Sequence, residues 1–190
     1  MLHPHQLDSV WRIVQSGNTG LFHVVGAGKT AVCVIASMEL RRLGFINKPC
    51  HVVPNHMLAQ YTAEFVRLYP NASVLMASKE DLEGDRRREL VSRIATGDWD
   101  AVVITHSSFE RIRMSPRFSE RFIKEIIHEI EMAVRAEKSN DRSNRIVKQL
   151  EAMKKNWTVR LEKLLADAKK DDLLSWEQLG IDTLFVDEAH

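Results

Sequence analysis

His23-Val-Val-Gly-Ala-Gly-Lys-Thr30 is the stretch on which the fold turns. Residues 21–25 read as an apolar strand that runs straight into glycines at 26 and 28, and Lys29-Thr30 opens a segment of helical periodicity. Gly26, Ala27 and Gly28 form a loop whose backbone N–H groups close around a phosphate, with a helix N-terminus behind it. In that geometry Lys29 reaches the β- and γ-phosphates and the Thr30 hydroxyl ligates Mg²⁺. The full P-loop pattern G-x-x-x-x-G-K-[ST] has glycine where this chain has His23.

Working outward, short apolar runs recur at 51–53, 73–77, Ala101–Thr105 and Thr183–Val186. Helical segments fall at 5–16, 28–43, 55–68 and 84–95. In the second, Val32, Ile35, Ala36 and Leu40 share a side before Gly44. In the third, Leu58, Tyr61, Phe65 and Leu68 do so before Pro70. Strand and helix in alternation predict an α/β fold, a parallel sheet covered by helices. Residues 117–170 break the alternation: Phe122, Ile126, Ile130 and Ala133 mark one amphipathic helix. Ile146, Leu150, Met153, Trp157, Leu161 and Leu164 mark a second. Ser139-Asn-Asp-Arg-Ser-Asn144 between them has turn chemistry, so the segment reads as an inserted α-helical hairpin.

Composition excludes several classes. An apolar fraction of 44% is globular rather than disordered. No apolar run reaches the roughly 18–20 residues of a membrane span, and the N-terminus is no signal peptide. Two cysteines make neither a disulfide framework nor a thiolate metal cage, and no His spacing suits zinc. A soluble cytoplasmic protein is the expectation. The net charge of +1 conceals a division: residues 111–170 carry a net +7 and the remainder −6. A basic hairpin on an acidic body points to a polyanion, or else to a solvated helical face.

Leu184-Phe-Val-Asp-Glu-Ala-His190 describes a buried strand delivering two carboxylates at its C-terminal edge, where open α/β sheets bind ligands. Asp187 suits a grip on Mg²⁺ and Glu188 suits polarising an attacking water. Together with the glycine loop, these residues make an NTPase.

Gly26-Ala-Gly-Lys-Thr30 with Asp187-Glu-Ala-His190 resembles motifs I and II of superfamily-two helicases and translocases (a DEAH box), a family that often lacks the first P-loop glycine. Leu2-His-Pro-His-Gln6 looks like the Leu-x-Pro-x-Gln element of the Swi/Snf-type branch, in which Gln6 reads the adenine edge and so implies ATP. Val52-Val-Pro-Asn-His-Met is similar to motif Ia. Asn55 there is placed to cap the helix that follows, whose start, with His56, faces a nucleic-acid phosphate. Ala101-Val-Val-Ile-Thr-His-Ser-Ser108 resembles the next element, with Thr105, Ser107 and Ser108 near the strand track. The wording resembles large helicase-like proteins of phages and mobile elements, some fused to adenine methyltransferase domains. No methyltransferase motif occurs in these residues.

The resemblance implies a RecA-like P-loop NTPase lobe: residues 1–112 as the ATP-binding core, 113–172 as the basic hairpin, and 173–190 as the return to the core. It also implies a second RecA-like lobe, absent here, that supplies an arginine finger. A further strand is implied between the P-loop strand and the Asp187 strand, without which the sheet has a gap. The chain therefore reads as the N-terminal piece of a longer protein or a truncated frame, slow in ATP hydrolysis and poorly stable alone. The expected function is ATP-driven movement on, or unwinding of, DNA, duplex favoured. Arg145, Lys148, Lys154, Lys155, Arg160 and Lys163 of the hairpin are candidate backbone contacts. The alternatives are a non-motor ATP-dependent switch that docks a protein through the hairpin, and an inactive gene remnant.

Overall fold

The structure, a computed structural model, describes residues 2–78, 80–83, 86–112, 114–139, 144–167 and 175–188. It divides into two compact units, one of residues 1–113 with 176–190 and one of residues 114–175.

The first unit is α/β. Helices α1 (Pro4–Ser16) and α2 (Lys29–Arg42) are followed by β1 (Pro49–Val53), a 3₁₀ turn at Asn55–Met57, and α3 (Leu58–Leu68). Then come β2 (Val74–Ala77), α4 (Arg86–Thr96), β3 (Ala101–Thr105) and the single-turn α5 (His106–Phe109). The strands form one all-parallel sheet in the order β2-β3-β1-β4, where β4 is Thr183–Val186. This is the architecture expected of a RecA-like lobe.

Central strands of a parallel sheet are covered on both faces, and every residue of β1 and β3 is buried. Strand periodicity then sorts their side chains into two layers. Cys50, Val52, Val102 and Ile104 face Leu90, Val91, Ile94 and Leu179. Val53, Ala101 and Val103 face Val34, Leu58, Tyr61 and Phe65 of α2 and α3. A smaller cluster of Ile13, Val32 and Ala36 joins α1 to α2, with Leu21 and Phe185 at its border.

Residues 21–25 are not a strand. Leu21 packs and His23 is half-buried against the His5 ring, while Phe22, Val24 and Val25 are exposed. The apolar run supplies β-propensity but not a ladder, and a strand needs a neighbour's donors and acceptors. Among the described residues the outer edge of β4 has no partner either, and Leu184 and Val186 beside it stay partly exposed. No described helix is long and apolar enough to cross a membrane.

The second unit is a pair of packed helices, α6 (Pro116–Ser139) and α7 (Asn144–Asp167); the expected turn at 140–143 lies outside the described residues. The apolar faces differ from the periodicity reading by one position each. Ile123 is buried where Phe122 was expected, and Phe122 is half exposed. On α7 Met153 points out, and Lys154 takes the seam position, its ammonium 2.7 Å from Glu131. Long aliphatic stems let a lysine do this without burying its charge.

Candidate functional site

The glycine loop is held from two sides. At Gly26 and Gly28 φ is 84° and 78°, left-handed backbone that favours glycine. Gly28 is the N-cap of α2 and no side chain caps that helix, so the N–H groups of its first turn are open. Gln6 is buried and both ends of its carboxamide are engaged. Its Oε1 accepts from the His3 N–H at 2.9 Å, and its Nε2 donates to the Ala27 carbonyl at 3.2 Å. His5 Nε2 donates to the same carbonyl at 3.2 Å. Gln6 thus ties α1 to the loop.

A Cβ on Gly28 would collide with Gln6 Nε2, whereas one on Gly26 meets nothing. Gly26→Ala is therefore expected to carry backbone strain alone, about 1–2 kcal/mol. Gly28→Ala is expected to lower the melting temperature further, because it also displaces Gln6. Equal melting shifts for the two variants would refute this ordering.

Lys29 Nζ donates to the carbonyls of His23 at 3.1 Å and Val24 at 3.3 Å, which fold the side chain back over the loop. One turn along α2, burial pushes the Cys33 thiol up to about 12; Asp187 adds to the rise and Lys29 opposes it. That thiol therefore lies within electrostatic reach of both the loop lysine and the carboxylate after β4.

Asp187 is half-buried and Glu188 exposed, and Glu188 has φ 51°, the one positive value at a non-glycine among the described residues. Ala189 and His190 lie outside the described residues. Neither the Thr30 hydroxyl nor the Asp187 carboxylate makes a hydrogen bond among the described residues. Magnesium takes few protein ligands and leans on phosphate and water, so one hydroxyl and one carboxylate fit it. No described group of three His, Cys, Asp or Glu is arranged to hold a metal by itself.

The expected nucleic-acid residues are sorted differently from the sequence reading. Asn55 does not cap α3, whose N-cap is Met57 without a side-chain bond. Its Oδ1 instead accepts from Ser107 Oγ at 2.8 Å, while His56 is exposed beside it. Thr105 and Ser108 are buried, and the Thr105 hydroxyl caps α5 by accepting the Ser108 N–H at 3.1 Å. They build the turn and are not free for a ligand.

In the hairpin Lys154 is bound to Glu131, and its ammonium holds that carboxyl below the usual range. Arg160 lies over the Trp157 ring at 5.0 Å. Arg145, Lys148, Lys155 and Lys163 are exposed.

A family model described as a probable helicase domain matches residues 11–190. The chain belongs to this family. A search of curated proteins gave no match. Membership makes the chain helicase-like and, in general terms, an NTP-hydrolysing enzyme.

Two features of this helicase domain escaped the sequence reading. His106 Nε2 donates to the Asp187 carbonyl at 2.7 Å across the end of β1. Buried in the middle of β1, His51 bonds Tyr61 of α3 at 2.9 Å and Ser37 of α2 at 3.2 Å. His51 sits within an apolar run, and a polar residue among strand residues was the available signal.

Proposed function

We propose that this chain is the ATP-binding lobe of an ATP-dependent DNA translocase or helicase of the superfamily-two, Swi/Snf-like DEAH-box kind. The observation that carries the reading is the glycine loop, left-handed at Gly26 and Gly28, that opens directly into the uncapped start of α2 with Lys29. The Cys33 thiol, acted on by Lys29 and by Asp187, supports one site for the two.

In this reading the uncapped start of α2 and Lys29 hold the phosphates, and Thr30 and Asp187 hold Mg²⁺, which supplies charge neutralisation when bound. Glu188 takes a proton from the attacking water. The edge formed by Asn55, His56 and Ser107 meets DNA phosphates, with Arg145, Lys148 and Lys155 as further contacts and duplex preferred. A second RecA-like lobe completes the hydrolytic site, a methyltransferase domain in the same protein fits the mobile-element resemblance, and the setting is cytoplasmic.

The test joins this lobe to a second motor lobe and follows ATP turnover with and without duplex or single-stranded DNA. Lys29→Ala is expected to weaken MgATP binding by about tenfold to a hundredfold, the loss of a hydrogen-bonded charge. Turnover stimulated by DNA and lost in the variant supports the motor. Binding of ATP with no response to DNA moves the reading to a nucleotide switch. One observation favours that second reading: Lys138, Lys154 and Arg160 are engaged within the hairpin, while Phe122, Met132, Met153 and Val159 are exposed there, a surface suited to a protein partner.

A further inference from the structure

The strand order places the C-terminal ends of β3, β1 and β4 side by side, with β1 in the middle. Each end leads into residues that bear chemistry: His106-Ser107 after β3, Asn55 after β1, and Asp187-Glu188 after β4. Short bonds stitch the three together.

The anchor is α5. Thr105 and Ser108 are buried, joined at 2.7 Å between hydroxyls and at 3.1 Å through the cap, so the turn is braced internally as one unit. Its two intervening residues reach different neighbours. Ser107 Oγ donates to Asn55 Oδ1 at 2.8 Å. His106 passes over β1 to the Asp187 carbonyl at 2.7 Å. A carbonyl only accepts, so His106 Nε2 carries the proton and the bond needs no charge on the ring.

That carbonyl matters because of where it sits. The Asp187 N–H donates to the Val52 carbonyl at 2.9 Å, which docks Asp187 on β1. The Asp187 C=O belongs to the next peptide unit, the plane that joins Asp187 to Glu188. Holding its oxygen orients that plane, and the residue beyond it is the one in left-handed backbone, at φ 51°. Such a conformation in a glutamate persists only when its surroundings impose it. Of the hydrogen bonds to this peptide unit among the described residues, the one from His106 is the imposed contact.

We propose that His106 is a positioning residue that sets Glu188 for water activation and couples its setting to the nucleic-acid edge. Phosphate engaging Asn55 and Ser107 shifts α5, α5 carries the imidazole, and the imidazole carries the Asp187–Glu188 peptide. The inference rests on the ATPase reading and adds to it the link between its two sites.

The experiment uses the two-lobed protein and three variants. His106→Leu removes the donor. In His106→Gln the amide nitrogen can take the place of Nε2, and in His106→Asn the same amide is too short to reach it. Steady-state kcat and KM for ATP are measured with and without a duplex oligonucleotide, alongside affinity for the Mg²⁺ complex of mant-ATP. DNA-stimulated kcat is expected to fall by about tenfold to a hundredfold in the Leu and Asn variants, as for other residues that orient a metal-site group. KM and mant-ATP affinity stay at wild-type values, and Gln restores most of the turnover. Were Leu not to fold, the Asn–Gln pair, alike in chemistry and different in reach, gives the same discrimination. Unchanged kcat in Leu or Asn overturns the inference, as does loss of nucleotide affinity along with turnover, or failure of Gln to restore. No turnover in the wild-type protein overturns the ATPase reading itself, and this inference with it.

Discussion

Glu188→Gln is expected to leave the lobe able to bind MgATP and to lower its turnover by about 10²–10⁴, the span of a general base removed. Glutamine matches glutamate in shape and meets the same left-handed backbone at φ 51°, so the fold should not register the change. Nothing among the described residues bonds the Glu188 carboxylate, so its loss strands no partner. The prediction separates chemistry from binding, because the residues assigned to phosphate and metal, Lys29, Thr30 and Asp187, are untouched. Glu188→Gly sharpens it. Glycine relieves a conformation worth about 1–2 kcal/mol in other residues, so this variant should melt higher while losing the same activity. Turnover retained in the Gln variant, with DNA present and two lobes in place, would show that the base is another group. A lower melting temperature in the Gly variant would show that the 188 backbone is not strained.

The sequence made some parts of this lobe legible and hid others for physical reasons. Ala101–Thr105 and Thr183–Val186 were readable to the residue, because parallel strands are short apolar runs bounded by polar turns; β3 is buried throughout, whereas β4, expected buried, is partly exposed at the sheet edge. Their order in the sheet was not readable, since pairing of β1 with both β3 and β4 depends on contacts distant in sequence. His106 was invisible for that reason: its bond to Asp187 exists only because β1 separates the two strand ends. The misreading of 21–25 runs the other way. There the composition suits a strand, but without a partner the chain leaves Phe22, Val24 and Val25 in solvent. Asn55 was assigned a helix cap on the strength of its residue type, and the competing acceptor role toward Ser107, set by tertiary approach, prevailed. The one-position slips in the hairpin, Ile123 for Phe122 and Lys154 for Met153, have a common cause. Apolar spacing defines a stripe about a helical turn wide, and only the packed partner chooses which edge of it is covered.

Acidification is expected to destabilise the lobe through His51. Its ring stacks on Phe185 at 4.9 Å and meets the edge of Phe65, with no exposure to solvent. The Ser37 hydroxyl donates to the Val34 carbonyl at 2.8 Å, so toward His51 it can only accept, and Nε2 carries the proton. Nδ1 then accepts from the Tyr61 hydroxyl. A neutral ring satisfies both partners, while a charged ring would face Tyr61 with a second N–H. Burial accordingly lowers the imidazole from 6.5 to about 3. Between those values only the unfolded chain binds this proton, so the stability is complete above pH 6.5 and declines as pH falls toward 3. The slope approaches ~1.4 kcal/mol per pH unit, about 2 kcal/mol between pH 7.5 and 5. Neither Cys33 nor Tyr61 titrates in that window, since burial moves both upward. The check is a difference, which cancels whatever the two proteins share: denaturant unfolding of the wild type and of His51→Phe with Tyr61→Phe, at pH 7.5 and 5. The double variant removes titrating ring and stranded hydroxyl together, and Ser37 keeps its bond to Val34. Its disadvantage should shrink by about 2 kcal/mol, or reverse, at the lower pH. Parallel losses in the two proteins would mean that the folded chain admits the proton, and that the ring joining α2, β1 and α3 is not the sealed neutral link its contacts describe.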